Sequence, residues 1–166
     1  MNKPWIAVSA LVLLASPGAY AAGVGQGDFE ASLSVTLSST EIDVGGTTTD
    51  SDFGLISVSG GMFFTDQLEA KAGLTGTVVS DFTYGTLTGG VDYLFTRGAA
   101  VVPFAGGGFA LGMFDTETDY IDLHGGIKYF FRERMSLEVK LSRSEPVDSE
   151  FDVGHTDLTA GFNVYF

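Results

Sequence analysis

The sequence has no cysteine in its 166 residues, and only 8 Lys and Arg stand against 21 Asp and Glu. The lack of cysteine excludes disulfides, so an exported protein of this size would hold its fold without cross-links. The formal net charge of −13 at pH 7 makes nucleic acid a poor partner, and we expect none. Beyond the first 21 residues no apolar run is long enough for a membrane-spanning helix, so strands would have to make any membrane crossing.

The N-terminal segment has the pattern of an export signal. Lys3 precedes an apolar run at 5–15, and the small residues Ala19 and Ala21 flank Tyr20. This order of a positive charge, a short apolar run and a small-x-small site is typical of a cleaved secretory signal peptide. The sequence therefore predicts a signal peptide at 1–21 and a single domain at 22–166.

Glycine and aromatic residues are plentiful, with 23 Gly, 14 Phe and 6 Tyr, which is typical of turn-rich β-structure. The clearest strand is 156–166, where even-numbered apolar residues alternate with odd-numbered residues that are mostly polar. Its eleven residues match the roughly 9–11 that a tilted strand needs to cross a hydrocarbon core. The alternation closing on Phe166 resembles the C-terminal signal of bacterial outer-membrane barrels. That resemblance implies recognition by the barrel-assembly machinery through Phe162, Val164 and Phe166.

Seven further segments have the same two-residue period. The predicted strands are 28–38, 52–65, 68–79, 86–95, 100–114, 120–131 and 135–142, followed by 156–166. The fifth is ambiguous, because apolar residues occupy both parities; we place Val101, Pro103 and Phe109 outward and glycines inward. The predicted connections 39–51, 80–85, 115–119 and 143–155 fall at one end, and short turns at 66, 97 and 132–134 fall at the other. The prediction is an all-β fold, an eight-stranded antiparallel up-and-down transmembrane β-barrel.

A secreted β-sandwich or lipocalin-like barrel is the soluble alternative, with its apolar face inward. Against it, the second face carries ten titratable residues: Glu30, Glu69, Lys71, Asp92, Asp122, His124, Lys128, Glu138, Lys140 and Asp157. The outward aromatics at the end with short turns are Phe29, Phe64, Phe95, Phe131 and Phe166. One ring of aromatics is what a membrane interface favours, so the transmembrane arrangement is preferred.

Segments 102–108, 124–130, 137–141 and 160–166 carry a wider resemblance. The chain resembles the small eight-stranded outer-membrane β-barrel family that includes OmpX, OmpW and the membrane domain of OmpA. The resemblance implies the outer membrane of a Gram-negative cell envelope, both termini periplasmic, surface-exposed loops and a monomer. The partners it implies are outer-membrane lipids and lipopolysaccharide.

The interior charges predict a plug. An eight-stranded barrel is just wide enough for side chains, and unpaired charges there would be costly. We expect a pairing network of Glu30, Glu69, Lys71, Asp92, Lys128, Glu138 and Lys140. The alternative is that these charges line an ion path.

Twelve acidic residues fall in the predicted outer connections, with only Arg143 near enough to offset them. Asp115, Glu117 and Asp119 are weak candidates for binding a divalent cation through oxygen ligands, and the alternative is a solvated acidic loop. No cofactor is expected.

An enzyme is not expected either. Some barrels of this size act on lipid A, and the deacylase type uses a His, a Ser and an acid. Here His155 with Ser142 or Ser144 and Glu145 is the only comparable set, and a simple loop histidine is the alternative. The leading hypothesis is a structural or surface-interaction barrel with a closed polar interior and acidic extracellular loops. The runner-up is a narrow porin-like conduit for small apolar molecules or ions.

Overall fold

The computed structural model describes residues 23–44, 47–79, 82–113, 119–147 and 154–166, without the side chains of 40–44, 47–53, 77–79 and 82–84. The predicted signal peptide at 1–21 lies outside the described residues. Eight strands follow in chain order: β1 Phe29–Val44, β2 Thr47–Phe63, β3 Leu68–Val79, β4 Phe82–Leu94, β5 Val101–Met113, β6 Tyr120–Arg132, β7 Met135–Pro146 and β8 His155–Tyr165. No helix in these described ranges is long and apolar enough to cross a membrane.

Each strand pairs antiparallel with the next, and β8 returns to pair with β1. The closing register runs from Glu30 opposite Tyr165 to Thr40 opposite His155. The predicted eight-stranded antiparallel up-and-down barrel is confirmed. Closure leaves no edge strand within the barrel wall, so its backbone groups are satisfied by neighbouring strands.

Side chains alternate strictly between the outer wall and the interior. On β1, Leu33, Val35 and Leu37 are more than half exposed, whereas Thr36, between Val35 and Leu37, is buried. On β5, Val101, Pro103 and Phe109 point outward while Val102 and Phe104 are buried, which settles the fifth strand as predicted. A period of two places successive side chains on opposite faces, so this orientation follows directly from the sequence.

The barrel has two distinct ends. At the end that we name the terminal rim, short turns join β2 to β3, β4 to β5 and β6 to β7. The backbone of Phe166 exchanges hydrogen bonds with Phe29 there, at 2.9 and 3.3 Å. Gly98 adopts a φ of 65° in one of these turns, where a residue without a Cβ is favoured. At the opposite end, which we name the loop rim, β1 and β2, β3 and β4, β5 and β6, and β7 and β8 have their facing ends, and residues 45–46, 80–81, 114–118 and 148–153 between them are outside the described ranges.

The strands are longer at the loop rim than the sequence predicted. The expected loop 39–51 is instead mostly strand, since β1 reaches Val44 and pairs in register with β2 down to Thr47. Likewise β4 begins at Phe82, β7 continues to Pro146 and β8 begins at His155, which shortens the predicted connections 80–85 and 143–155. The outward apolar row does not continue into these extensions, since apolar residues there, such as Ile42 and Phe82, fall on the opposite parity, so that row could not mark them. Backbone pairing alone continues the strands there.

Candidate functional site

The interior at the terminal rim is closed by a layer of large side chains that we name the aromatic floor. Its members are each 4% exposed or less: Phe63, Leu94, Val102, Phe104, Phe130 and Tyr165. The rings of Phe130 and Tyr165 stack with centroids 5.4 Å apart, and Phe63 tilts against Tyr165 at 6.2 Å. Period-two parity places Phe63 inward, but the sequence analysis did not single it out. These side chains fill the cross-section beside the terminal rim.

Next to the aromatic floor lies a cluster of buried charges. The Lys128 ammonium is fully buried and donates to Glu30 at 2.5 Å and to Glu69 at 3.0 Å. It also lies 5.7 Å from the Phe104 ring centroid and 5.6 Å from that of Tyr165, within cation–π range. Lys128 thus joins β6 to β1 and β3 across the interior.

Lys71 extends this cluster towards the loop rim. Its ammonium lies 3.1 Å from Glu30, 3.0 Å from Asp92, 3.5 Å from Glu138 and 3.7 Å from Glu69. Six of the seven residues predicted for the plug are therefore brought together; we name these six the charge cluster: Glu30, Glu69, Lys71, Asp92, Lys128 and Glu138. Lys140, the seventh, also faces inward and lines the cavity described below, but it forms no ion pair with any described residue.

His124 connects the charge cluster to the rest of the interior. Its Nε2 lies 2.6 Å from Asp92 Oδ1, and its Nδ1 contacts Asp122 Oδ2. A neutral imidazole has one donor, so contacts from both ring nitrogens to carboxylates favour the doubly protonated ring. Gly106 lies between Asp92 and His124 in register, and a Cβ there would come within 2.6 Å of His124 Nε2. The absence of a side chain at Gly106 is what allows this contact.

Two of the inward glycines are packed against large side chains. A Cβ at Gly126 would meet the Phe104 ring at 2.9 Å, and one at Gly61 would meet the Glu69 carboxylate. At these two positions the interior is filled by a side chain from the neighbouring strand.

A polar cavity of about 180 Å³ occupies the interior on the loop-rim side of the charge cluster. It extends from Lys71 and Asp92 to Tyr120 and His155, which begin β6 and β8. Serine and threonine are the commonest of its lining residues: Ser32, Ser34, Thr36, Ser57, Ser59, Thr75, Thr86, Thr88, Ser142, Ser144 and Thr159. Some pair with each other, as Thr36 does with Thr159 at 2.8 Å. The cavity is suited to water or small polar solutes.

A second buried network was not predicted. Asn163 Nδ2 donates to Ser136 Oγ at 3.1 Å, and Ser136 Oγ lies 3.0 Å from the Tyr165 hydroxyl. Asn163 also reaches Glu138 Oε2 at 3.4 Å. Ser136 lies on the polar face of β7, and Asn163 and Tyr165 lie on the polar face of β8. The two-residue period alone therefore predicts that these three side chains point inward. Their pairing required the register of the two strands.

Asp119, one of the weak cation candidates, and the assembly residues lie apart from the interior. Asp115 and Glu117 are outside the described residues, and Asp119 Oδ1 accepts a hydrogen bond from the Gly112 N–H at 3.3 Å. Phe162, Val164 and Phe166 follow one another on the outward face of β8. Phe162 stacks on Phe131 of β6 with centroids 6.1 Å apart.

The histidine set considered for catalysis is not assembled. Ser144 is opposite His155 in the β7–β8 register, but Glu145 points to the outer wall, where it accepts from Arg143 Nε at 2.7 Å. His155 instead lies 3.5 Å from Asp157 and packs its ring edge against Tyr120 at 4.8 Å. His155, a serine and Glu145 therefore do not form a catalytic set. Glu145 follows Ser144 directly in the strand, so its side chain points to the opposite face.

A smaller electrostatic contact fixes the chain at the terminal rim. Asp66, in the β2–β3 turn, accepts from the Gln26 backbone N–H at 2.9 Å and pairs with Arg97 at 2.6 Å. The backbone hydrogen bond, with the nearby guanidinium, lowers the pKa of Asp66 below its ordinary value. This contact ties the segment before β1 to two rim turns.

No family model matches this sequence, and no curated protein sequence matches it significantly. Solved structures do resemble its fold. Neisserial surface protein A is 16% identical, with a TM-score of 0.69 over 85% of this chain and 100% of that one. The N-terminal β-barrel domain of Pseudomonas aeruginosa OprF is 18% identical, with a TM-score of 0.58 over 84% and 99%. Ail, the attachment invasion locus protein of Yersinia pestis, is 13% identical, with a TM-score of 0.54 over 85% and 99%.

At these identities the likeness concerns the fold alone. These neighbours are small eight-stranded outer-membrane barrels, and the described residues form a closed eight-stranded barrel. The protein therefore has the fold of the small eight-stranded outer-membrane β-barrels.

Proposed function

We propose that the protein is an integral outer-membrane barrel with a structural or surface-interaction role and a closed interior. The observation that carries the proposal is the outer wall, which is apolar on all eight strands around an ion-paired interior. On β1 the apolar positions run from Phe29 to Leu37. At roughly 3.4 Å per residue and a tilt of about 40°, this span is about 20 Å high, close to the apolar band of about 25 Å in such barrels.

The closed interior is supported by burial. Phe130 and Lys128 are fully buried, and the aromatic floor and charge cluster fill successive levels next to the terminal rim. Opening a path would require moving paired charges that compensate each other, which is costly in a dry interior. The interior is thus a structural element that holds opposite walls together.

The surface role is supported by the loop rim. The β1–β2 hairpin continues past Leu37 to Val44, carrying Glu41 and Asp43 beyond the apolar band. In the described register, residues 47–55 of β2 pair with β1 and have no partner on β3. Two of the proteins with a similar fold have names that refer to the cell surface or to attachment: Neisserial surface protein A and the attachment invasion locus protein Ail. We place this rim outside the cell, with divalent cations shared with lipopolysaccharide as candidate partners.

The remaining features of the proposal concern export and assembly. Residues 1–21 are removed as a signal peptide, both termini face the periplasm, and the barrel acts as a monomer. Phe162, Val164 and Phe166 are read by the assembly machinery during insertion. The short turns at the terminal rim support this orientation, because short turns are typical of the periplasmic side of such barrels.

A narrow conduit is the second candidate, and the polar cavity is the observation that favours it. Its hydroxyl lining suits ions or small polar solutes better than apolar molecules. A lipid A-modifying enzyme has no comparable support.

The test uses the full chain expressed in a Gram-negative host. We expect a faster-migrating, heat-modifiable band in the outer-membrane fraction, β-type circular dichroism and no single-channel conductance in planar bilayers. A water-soluble protein would refute membrane insertion. Steady conductance of an inserted barrel would favour the conduit.

A further inference from the structure

The outer wall near the loop rim contains one basic side chain, Arg143, which contacts Glu145 and Thr156 and lies above an apolar part of the wall. Of the other basic residues, Lys3 precedes the barrel, Lys71, Lys128 and Lys140 face the interior, and Arg97, Arg132 and Arg134 lie at the terminal rim. Arg143 is 54% exposed and lies in register between Leu123 of β6 and Thr156 of β8. Arg143 is paired with Glu145 at this level of the wall, and the guanidinium donors that Glu145 leaves over could bind an anionic group from outside the chain.

Beside Arg143 the wall has a recess lined by Leu123, Gly125, Leu141 and Thr156. Leu123 is 72% exposed and Leu141 57%, so the two leucines form apolar sides. Gly125, opposite Leu141 in register, contributes no side chain and leaves the bottom of the recess open. The recess is therefore apolar towards the terminal rim and cationic towards the loop rim.

The guanidinium is held in place by two of its donors. Its Nε donates to Glu145 at 2.7 Å, and one Nη1 hydrogen donates to Thr156 Oγ1 at 3.3 Å. Of the five N–H groups of an arginine, about three have no acceptor among the residues that the structure describes. Arginine donors paired with phosphate oxygens form strong, charge-assisted hydrogen bonds. Glu145 orients the group but also repels an anion.

We propose that this recess binds one membrane lipid that carries a phosphate monoester, with the phosphate on Arg143 and an acyl chain along Leu123, Gly125 and Leu141. Charge complementarity supports a phosphate, and the apolar sides below it support an attached chain rather than a free anion. This inference rests on the proposed insertion of the barrel in a membrane. It adds a defined lipid site to an otherwise unspecific apolar wall.

The test measures lipid binding to the full-length barrel, folded in a neutral detergent, by native mass spectrometry. The probe is dioleoyl phosphatidic acid, compared with dioleoylglycerol, which has the same chains, and with inorganic phosphate. We expect one phosphatidic acid per barrel, bound about tenfold more tightly than either comparison compound. Equal binding of dioleoylglycerol, or equal binding of inorganic phosphate, would overturn the proposal.

Matched variants localise the site. Arg143→Gln should weaken phosphatidic acid binding about tenfold, whereas Glu145→Gln should strengthen it by removing a negative charge. Arg97→Gln is the control, because Arg97 is 50% exposed and paired with Asp66 at the opposite rim. Unchanged binding by Arg143→Gln, or an equal loss in Arg97→Gln, contradicts the assignment.

Two further measurements keep the result interpretable. If Arg143→Gln does not fold, Leu123→Ser replaces it, and a loss of at least about threefold is expected from removal of the chain contact. Heat-modifiable migration of the wild type reports insertion separately. A folded, inserted barrel that does not prefer phosphatidic acid refutes this site but leaves the proposed function intact.

Discussion

Lys128 and Glu30 form a 2.5 Å ion pair across the barrel, although 98 residues separate them and their strands, β6 and β1, are not neighbours. The pair is fully buried on the lysine side and shares its ammonium with Glu69. It joins walls that no backbone hydrogen bond joins. The predictions below begin from this contact.

Replacing Lys128 with alanine should destabilise the barrel by about 3–5 kcal/mol, because Glu30 and Glu69 would lose their buried partner. The measurement is urea unfolding of the protein in phospholipid vesicles. Lys140→Ala serves as the control, since Lys140 faces inward but forms no ion pair with a described residue. Equal losses in the two variants would show that pairing is not the cause.

Lys71→Ala should also destabilise the barrel, and it should do so without opening it. The aromatic floor lies between the charge cluster and the terminal rim, and its six side chains remain when Lys71, which lies 5.9 Å from the Phe104 ring centroid, is truncated. Planar-bilayer recordings of the folded variant should therefore remain without channel events. A rise in conductance would instead support an ion path through the interior.

Gly106→Ala should cost about 1–3 kcal/mol, since the new Cβ would intrude between Asp92 and His124. Gly125→Ala is the matched control on the adjacent strand. Its Cβ would approach the Phe104 carbonyl oxygen at 3.5 Å, an ordinary contact, so a change within about 0.5 kcal/mol is expected. Both values come from unfolding curves, and a neutral Gly106→Ala would contradict the tight contact.

Deleting Phe166 should lower the yield of membrane-inserted barrel. The deletion removes an outward rim aromatic, the end of the assembly pattern and the backbone bonds to Phe29. Phe64→Ala removes an equally outward aromatic of the same rim and leaves the end of the chain intact. The inserted fraction is measured by heat-modifiable migration of the outer-membrane fraction. Normal insertion of the deletion variant would reject the role.

Asp66→Asn should lower the melting temperature at pH 7 and lose this effect in acid. The Gln26 backbone N–H, and then Arg97, lower the folded pKa of Asp66, so its ionised form favours the fold above the unfolded pKa of about 3.9. That stabilisation disappears as the pH falls through the lowered pKa. Melting curves of the two proteins should converge once the pH falls below the lowered folded pKa of Asp66. A gap that persists in acid would refute the electrostatic origin.

Much of the architecture followed from the sequence by itself. In a strand a period of two fixes which side chains share a face, so the outward position of Leu33 and the inward position of Glu69 needed no tertiary information. Eight such segments, with one face apolar, admit few arrangements other than a closed barrel in lipid. The ambiguous fifth strand also took its predicted parity, because its glycines line the crowded interior.

Only the tertiary structure decided which groups meet. Lys128 pairs with Glu30 and Glu69 because the tilt and stagger of the strands bring these three residues to the same height in the barrel. The stagger cannot be read from a list of inward-facing residues. The space beside Gly126 is filled by Phe104, and this contact required the register of β5 and β6. The strands also continue to Val44 and Pro146 beyond the end of the outward apolar row, since backbone hydrogen bonding between paired strands does not depend on side-chain periodicity.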